Sequence, residues 1–203
     1  MIRILLFSHL FVVWAQENSH SETPRKPQNV KGWASYFENE ISSFLDVPLE
    51  WALNTEVPHW LLGSYIKNGP GKSVFEDGRY YENWLDGSGK IHKLTFANGT
   101  ARFSGRMLET GNYNKSVARK AMVPSVTLDR VRPTDWSIYE LFEGALNGYD
   151  NTNVLLWKLG PPEKEKGMYI ATTDYPLVHE IDPNTLRVKQ AIPFTDIASM
   201  ASC

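Results

Sequence analysis

The chain has a single cysteine in 203 residues, Cys203, and it stands last. An intrachain disulfide and a cysteine-based zinc site are both excluded. Long apolar runs are missing as well. The longest, ILLFSHLFVVWA at residues 4–15, is too short for the roughly 20 helical residues that span a bilayer, and it carries His9. Charge of one sign is also lacking. A net charge of −2 and a pI near 6.2 give no reason to invoke nucleic acid or an anionic membrane surface as a partner. No G-x-S-x-G, P-loop, dinucleotide fingerprint, H-E-x-x-H or His-x-His is present. Beyond His9, the histidines stand singly at His20, His59, His92 and His179. Binding one metal ion would require residues far apart in sequence to converge.

Aromatic residues, by contrast, make up 12% of the chain alongside 14 Gly and 12 Pro, a balance that favours short strands and turns over a helical bundle. The N-terminus reads as a secretory leader over residues 1–15. Arg3 supplies the basic start, the apolar run follows, and Val13 and Ala15 place small residues before Gln16. Residues 16–32 read as a flexible linker, and residues 33–203 as one domain. The sequons Asn98-Gly99-Thr100 and Asn114-Lys115-Ser116 are compatible with a secreted or secretory-lumen protein glycosylated at Asn98 and Asn114.

From Trp33 to Leu45 the apolar residues Trp33, Tyr36, Phe37, Ile41, Phe44 and Leu45 recur at helical spacing, which predicts a helix stopped by Asp46 and Pro48. Trp60–Ile66 reads as a strand, ended by a turn at Asn68-Gly69-Pro70-Gly71. Tyr80–Leu85 reads as another strand and Asp86–Gly89 as a turn. Lys90–Phe96 alternates with period two, and Asn98-Gly99 is a hairpin signal returning through Thr100–Leu108. A second meander runs through Met168–Thr173, Leu177–Asp182, a turn at Pro183–Thr185, and Arg187–Phe194. Between the meanders, Trp136–Leu146 has Ile138, Leu141, Phe142, Ala145 and Leu146 on one helical face, with Asp135 as N-cap. Successive short hairpins indicate an all-β sandwich, barrel or propeller, among which periodicity does not choose.

The stretch YENWLDGSGKIHKL gathers Glu82, Asp86 and His92 as if for hydrolysis or metal binding. An Asp opening a Gly-rich turn usually bonds its own backbone, and His92 shares a strand face with Leu94 and Phe96. The structural reading therefore outweighs the catalytic one.

Several stretches together resemble the carotenoid oxygenase family, the carotenoid cleavage dioxygenases and retinoid isomerases. Pro58-His59-Trp60-Leu61-Leu62-Gly63 through Lys67-Asn68-Gly69-Pro70-Gly71 is similar to the family's PxWLxGxxxRNGPG, and NWLDGSGKIHKLTFANG to HWFDGxxxLHxFxFxxG. Asp150-Asn151, then Tyr169–Asp174, then Ile181–Leu186 resemble a third family segment. The resemblance implies a partial seven-bladed β-propeller with short helical dome segments. It also implies Fe(II) held by four histidines, and O2-dependent cleavage of a carotenoid or apocarotenoid double bond. By resemblance Thr173 lies on the substrate side, and Asp174 stands where relatives carry a Glu bonded to an iron-ligand His. Asn83, Leu85 and Lys67 depart from the family's His, Phe and Arg. None of the chain's histidines matches an iron-ligand position, the first of which the family places just after the segment matching Pro193–Ser202. The expectation is the N-terminal part of such an enzyme, with no metal or activity of its own. A peripheral membrane contact through the Trp136–Leu146 helix stands against its burial as a dome helix. The alternatives are a non-enzymatic secreted protein binding an apolar ligand or a partner, and a truncated gene model.

Overall fold

The computed structural model describes residues 3–7, 10–14, 39–50, 57–125, 127, 130–133, 136–160 and 167–193. In chain order the strands are β1 (Arg3–Phe7), β2 (Leu10–Trp14), β3 (Phe44–Pro48), β4 (Gly63–Lys72), β5 (Tyr80–Tyr81), β6 (Ser88–Ala97), β7 (Thr100–Met107) and β8 (Val131–Arg132), followed by β9 (Leu155–Leu159), β10 (Met168–Thr172), β11 (Leu177–Ile181) and β12 (Val188–Pro193). Two helices, α1 (Gly111–Arg119) and α2 (Ile138–Asn147), lie between β7 and β9. Hairpin β1–β2 joins no other described strand, and β5 pairs with β8. The linker at 16–32, Asp135 and Cys203 lie outside the described residues.

Two four-stranded antiparallel sheets carry the fold. The first has the order β3-β7-β6-β4 and the second, a simple meander, β12-β11-β10-β9. They stack as neighbouring blades. Ile91 and Leu108 of the first blade meet Ala171, Ile181 and Leu186 of the second, all buried, with Ile66, Leu156, Tyr169 and Val188 packed around them. Each fully buried aliphatic side chain of this kind contributes about 1.5–3 kcal/mol. The pleat explains which residues arrive there. Ile91 points to one face of β6, while Leu94 and its cross-strand partner Phe103 point to the other.

That other face of the first blade is also covered. Phe103, Leu94, Met107 and Lys90 are buried, and the rings of Phe44 and His92 each lie 6.0 Å from Phe103. Lys90 Nζ donates to the Glu40 carbonyl at 2.9 Å, and burial lowers its pKa.

The hairpin at Asn98-Gly99 and the second meander form as the sequence predicts. Three expectations fail. Residues 39–43 carry no regular structure and Phe44–Pro48 is a strand, so the Trp33–Leu45 helix does not exist over its described part. Pairing with β7 and packing of Phe44 on Phe103 override the helical spacing. The Asn68–Gly71 segment is not a turn but the second half of β4, paired to β6 from Asn68↔Ile91 to Pro70↔Gly89. Pro70 is tolerated because β4 is an edge strand. Gly71 is required by close approach, since a Cβ there would stand 2.6 Å from Lys90 Cβ. Finally, the Tyr80–Leu85 strand shrinks to β5 and a short 3-10 turn at Trp84–Asp86. The Asn83 side chain bonds its own backbone there, accepting from Leu85 N at 3.0 Å.

Candidate functional site

The predicted site residues Thr173 and Asp174 follow β10 directly. β10 is fixed by buried Ala171 and by the Thr172 carbonyl, which accepts from Val154 N at 3.1 Å. Thr173 is buried and Asp174 is exposed at the corner leading into β11. The corner is held from the side by Tyr149, whose ring lies 5.9 Å from that of Tyr175. The Tyr149 phenol bonds Thr173 and Asn151. Burial raises its pKa, the bonds to Thr173 and Asn151 oppose this, and nearby Asp86 adds to it.

Asn151 connects this corner to the WLDGSG stretch. Its Nδ2 donates to the carbonyls of Asp86 and Gly87 at 3.1 and 2.9 Å, and its Oδ1 accepts from Gly89 N at 2.8 Å. Asn153 adds bonds to the carbonyls of Leu85 at 2.5 Å and Gly87 at 2.8 Å. Thr152, between them, pairs its Oγ1 with His179 Nδ1 at 2.9 Å, and its carbonyl accepts from Asn68 Nδ2 at 2.6 Å. Asp-Asn-Thr-Asn at 150–153 is thus a polar seam stitching the NGPG strand, the WLDG turn and the second blade together. Sequence reasoning missed this role, because a polar segment without period two or 3.6 gives no pattern to read.

Beneath the seam is a cavity of about 20 Å³, bordered by Tyr81, Asp86, Ser88, Tyr149, Asp150 and Asn151 among others. It has room for one or two waters. Asp86 is buried in its wall. Burial, and after it the Asp86 carboxylate, raises the Tyr81 phenol pKa. Asp150 Oδ2 accepts from Asn112 N at 2.8 Å in the first turn of α1, while its Oδ1 is buried with no hydrogen-bond partner among the described residues.

The described histidines do not converge. His59 is exposed beside the Asn98-Gly99 turn, its ring 2.9 Å from where a Cβ on Gly99 would stand. His92 stacks on Phe103, and burial, then the charges of Lys90 and Lys67, push its pKa down to about 3. His179 lies between the blades on Thr152, and burial lowers its pKa against the opposing pull of Asp150. No group of three or more His, Cys, Asp or Glu able to hold a metal occurs among the described residues. The described residues therefore do not fit a four-histidine iron centre, and no chemical step is derived through one.

α2 is inverted. Ser137 caps it with a full capping box to Glu140, in place of the expected Asp135. Its polar side faces the protein: Glu140 pairs with Arg79, Glu143 with Arg119, and Asn147 Nδ2 bonds the Pro124 carbonyl. Ile138, Tyr139, Leu141, Phe142 and Leu146 all face outward, Tyr139 at 84% exposure. Burial as a dome helix, the alternative to a membrane contact, does not occur among the described residues.

Residues 40–202 match the family described as retinal pigment epithelial membrane protein, RPE65. The chain belongs to this carotenoid oxygenase family. It is 27% identical over 175 residues to the carotenoid isomerooxygenase of Galleria mellonella, covering 84% of this chain and 32% of that protein. It is 30% identical over 146 residues to the mitochondrial carotenoid-cleaving dioxygenase of Pongo abelii, covering 68% of this chain and 25% of the relative. Among solved structures, the cobalt-substituted apocarotenoid oxygenase of Synechocystis superposes with a TM-score of 0.65 at 18% identity, over 79% of this chain and 31% of that one. The chain thus spans about a third of its carotenoid oxygenase relatives. The fold is all-β, two blades of the carotenoid oxygenase propeller with helical segments between them.

Proposed function

We propose that this chain supplies the first two blades and the membrane-facing helix of a scaffold that takes an apolar polyene, a carotenoid or apocarotenoid, from a lipid surface. The observation that carries the reading is α2, which presents five large apolar side chains to solvent and keeps its charges bonded inward. A helix with that disposition lies in a lipid interface with its apolar side down. In this reading Thr173 lines the substrate path and Asp174 stands beside the reaction centre of the whole protein. The family's chemistry, O2-dependent cleavage of a polyene double bond at Fe(II), requires histidines that the described residues do not bring together. We therefore assign no cleavage activity to residues 1–203 alone. The same separation of histidines favours the second reading, a non-enzymatic binder of an apolar ligand or partner.

Vesicle flotation with phosphatidylcholine tests the membrane reading. The chain floats, and Phe142→Glu with Leu146→Glu reduces partitioning at least about tenfold; equal partitioning of both proteins refutes it. Incubation with Fe(II), O2 and an apocarotenoid gives no aldehyde in this reading, and stoichiometric iron with aldehyde release overturns it. We further propose that residues 1–15 direct the chain into the secretory pathway, residues 16–32 form a linker, and Asn98 and Asn114 accept glycans. Both asparagines are exposed. Secreted protein should begin at Gln16 and lose mass on treatment with peptide N-glycosidase. An intact Met1 and an unchanged mass would refute that route.

A further inference from the structure

The cavity beneath the polar seam is walled largely by oxygen. Asp86, Ser88, Thr110 and Ser116 border it and are buried, and Tyr149 and Asp150 close it from the seam. Two carboxylates thus share its wall, and no described lysine, arginine or histidine borders it. Both carboxylates act on one phenol: burial, and after it the charges of Asp86 and Asp150, raise the pKa of Tyr81. Asp150 is satisfied on one side only. Its Oδ2 accepts from Asn112 N at 2.8 Å, while its Oδ1 is buried with no hydrogen-bond partner among the described residues. A buried charge persists where it is paired, fully hydrogen-bonded or coordinated to a metal ion.

We propose that this cavity binds a single calcium ion, held by the Asp86 and Asp150 carboxylates with hydroxyl and phenol oxygens completing its shell. Three properties of the wall choose the ion. Its polar side chains are carboxylates, hydroxyls, phenols and amides, with no imidazole or thiolate, which suits a hard cation rather than zinc or iron. Two carboxylates balance a divalent charge rather than a sodium or potassium ion. A space of about 20 Å³ takes one ion with little water beside it, whereas magnesium keeps several waters and an octahedral shell. Calcium accepts an irregular shell, so hydroxyl oxygens serve where a third carboxylate is lacking. The Asp86–Ser88 turn, the start of α1 and the seam at Asp150 all border the cavity. The ion therefore ties the first blade to the seam that carries Tyr149 and, through its phenol, Thr173.

Equilibrium dialysis of the full chain, first stripped of metal by a chelator, against calcium or magnesium tests this. The expected result is one calcium per chain, little displaced by an equal concentration of magnesium, with a thermal midpoint that rises with calcium. Asp150→Asn keeps an acceptor for Asn112 N and removes the charge, and should weaken calcium binding at least about tenfold. Glu180→Gln, on β11 and outside the cavity wall, should leave it unchanged. Hydrogen exchange on the unaltered chain locates the ion without a variant: amides at 86–89, 111–113 and 150–153 gain protection with calcium, and β12 amides do not. No bound calcium, equal binding of magnesium, or protection gained only elsewhere overturns the proposal. So does calcium that Asp150→Asn retains at full affinity.

Discussion

The two blades have the same four-stranded plan and differ in what covers them. The first is buried on both faces over its β6–β7 half, while Tyr65 on its edge strand stays 50% exposed. Ile91 meets the second blade, and Phe103 and Leu94 lie beneath Phe44 and His92. The second is buried on one face and leaves Trp157 and Leu159 half exposed on the other. Alternation within a strand is thus the same in both, while its meaning differs. In the first blade both parities are core. In the second, one parity is core and the other is left open among the described residues.

The sharpest way to break the comparison is to truncate the same kind of residue on each blade. Phe103→Ala should cost about 3–5 kcal/mol, because the ring is buried and its neighbours Phe44 and His92 cannot close the gap. Urea denaturation measures it. A cost under about 1 kcal/mol would mean that the outward face of the first blade is not a packed core.

The next effect tests the seam between the blades. Asn153→Ala removes the donor to the Leu85 and Gly87 carbonyls, leaving buried acceptors without that partner, and should cost about 2–3 kcal/mol. Thr173 also feels this seam, since Asn151 holds both the WLDG turn and Tyr149. A loss confined to one blade in hydrogen exchange, with the other untouched, would show that the seam does not couple them.

These two tests also mark what the sequence could and could not convey. The β6–β7 hairpin was legible because Asn98-Gly99 fits a turn with positive φ at both positions, 50° and 74°. The β10–β12 meander was legible because its apolar alternation is interrupted by Pro183-Asn184-Thr185. Phe44–Pro48 was not, because its helical spacing reflects no helix and its strand depends on a partner 58 residues away, Ser104 Oγ accepting from Asp46 N. The NGPG stretch misled for a related reason: its glycine serves contact with Lys90 rather than chain reversal. For α2 the periodicity identified the helix and its apolar stripe. Which side meets the protein was fixed by Arg79, Arg119 and Pro124, which no local pattern reveals. Of the candidate site, motif resemblance located Thr173 and Asp174, and the seam beside them was invisible.

A smaller effect separates the blades by pH. His92 in the first blade is held neutral with a pKa near 3. In the unfolded chain it titrates near 6.5. The unfolded state therefore binds the extra proton first as pH falls. The contribution is complete above pH 6.5 and declines on the way down towards 3, by up to about 1.4 kcal/mol per pH unit. Between pH 6.5 and 5 the carboxylates with lowered pKa values, such as Asp77 and Glu180, remain ionised and add little slope. His92→Phe keeps a ring against Phe103 and should flatten the profile in that window, leaving the slope that His179 contributes from the second blade. An unchanged slope in the variant would mean that His92 is solvated.

The smallest effect is the one that most directly opposes the first. Trp157→Thr should change stability by no more than about 0.5 kcal/mol. Trp157 is 54% exposed, so much of its apolar area meets water in the folded monomer, and Thr keeps the strand preference of the position. A cost approaching that of Phe103→Ala would mean that Trp157 is covered within the chain, as Phe103 is.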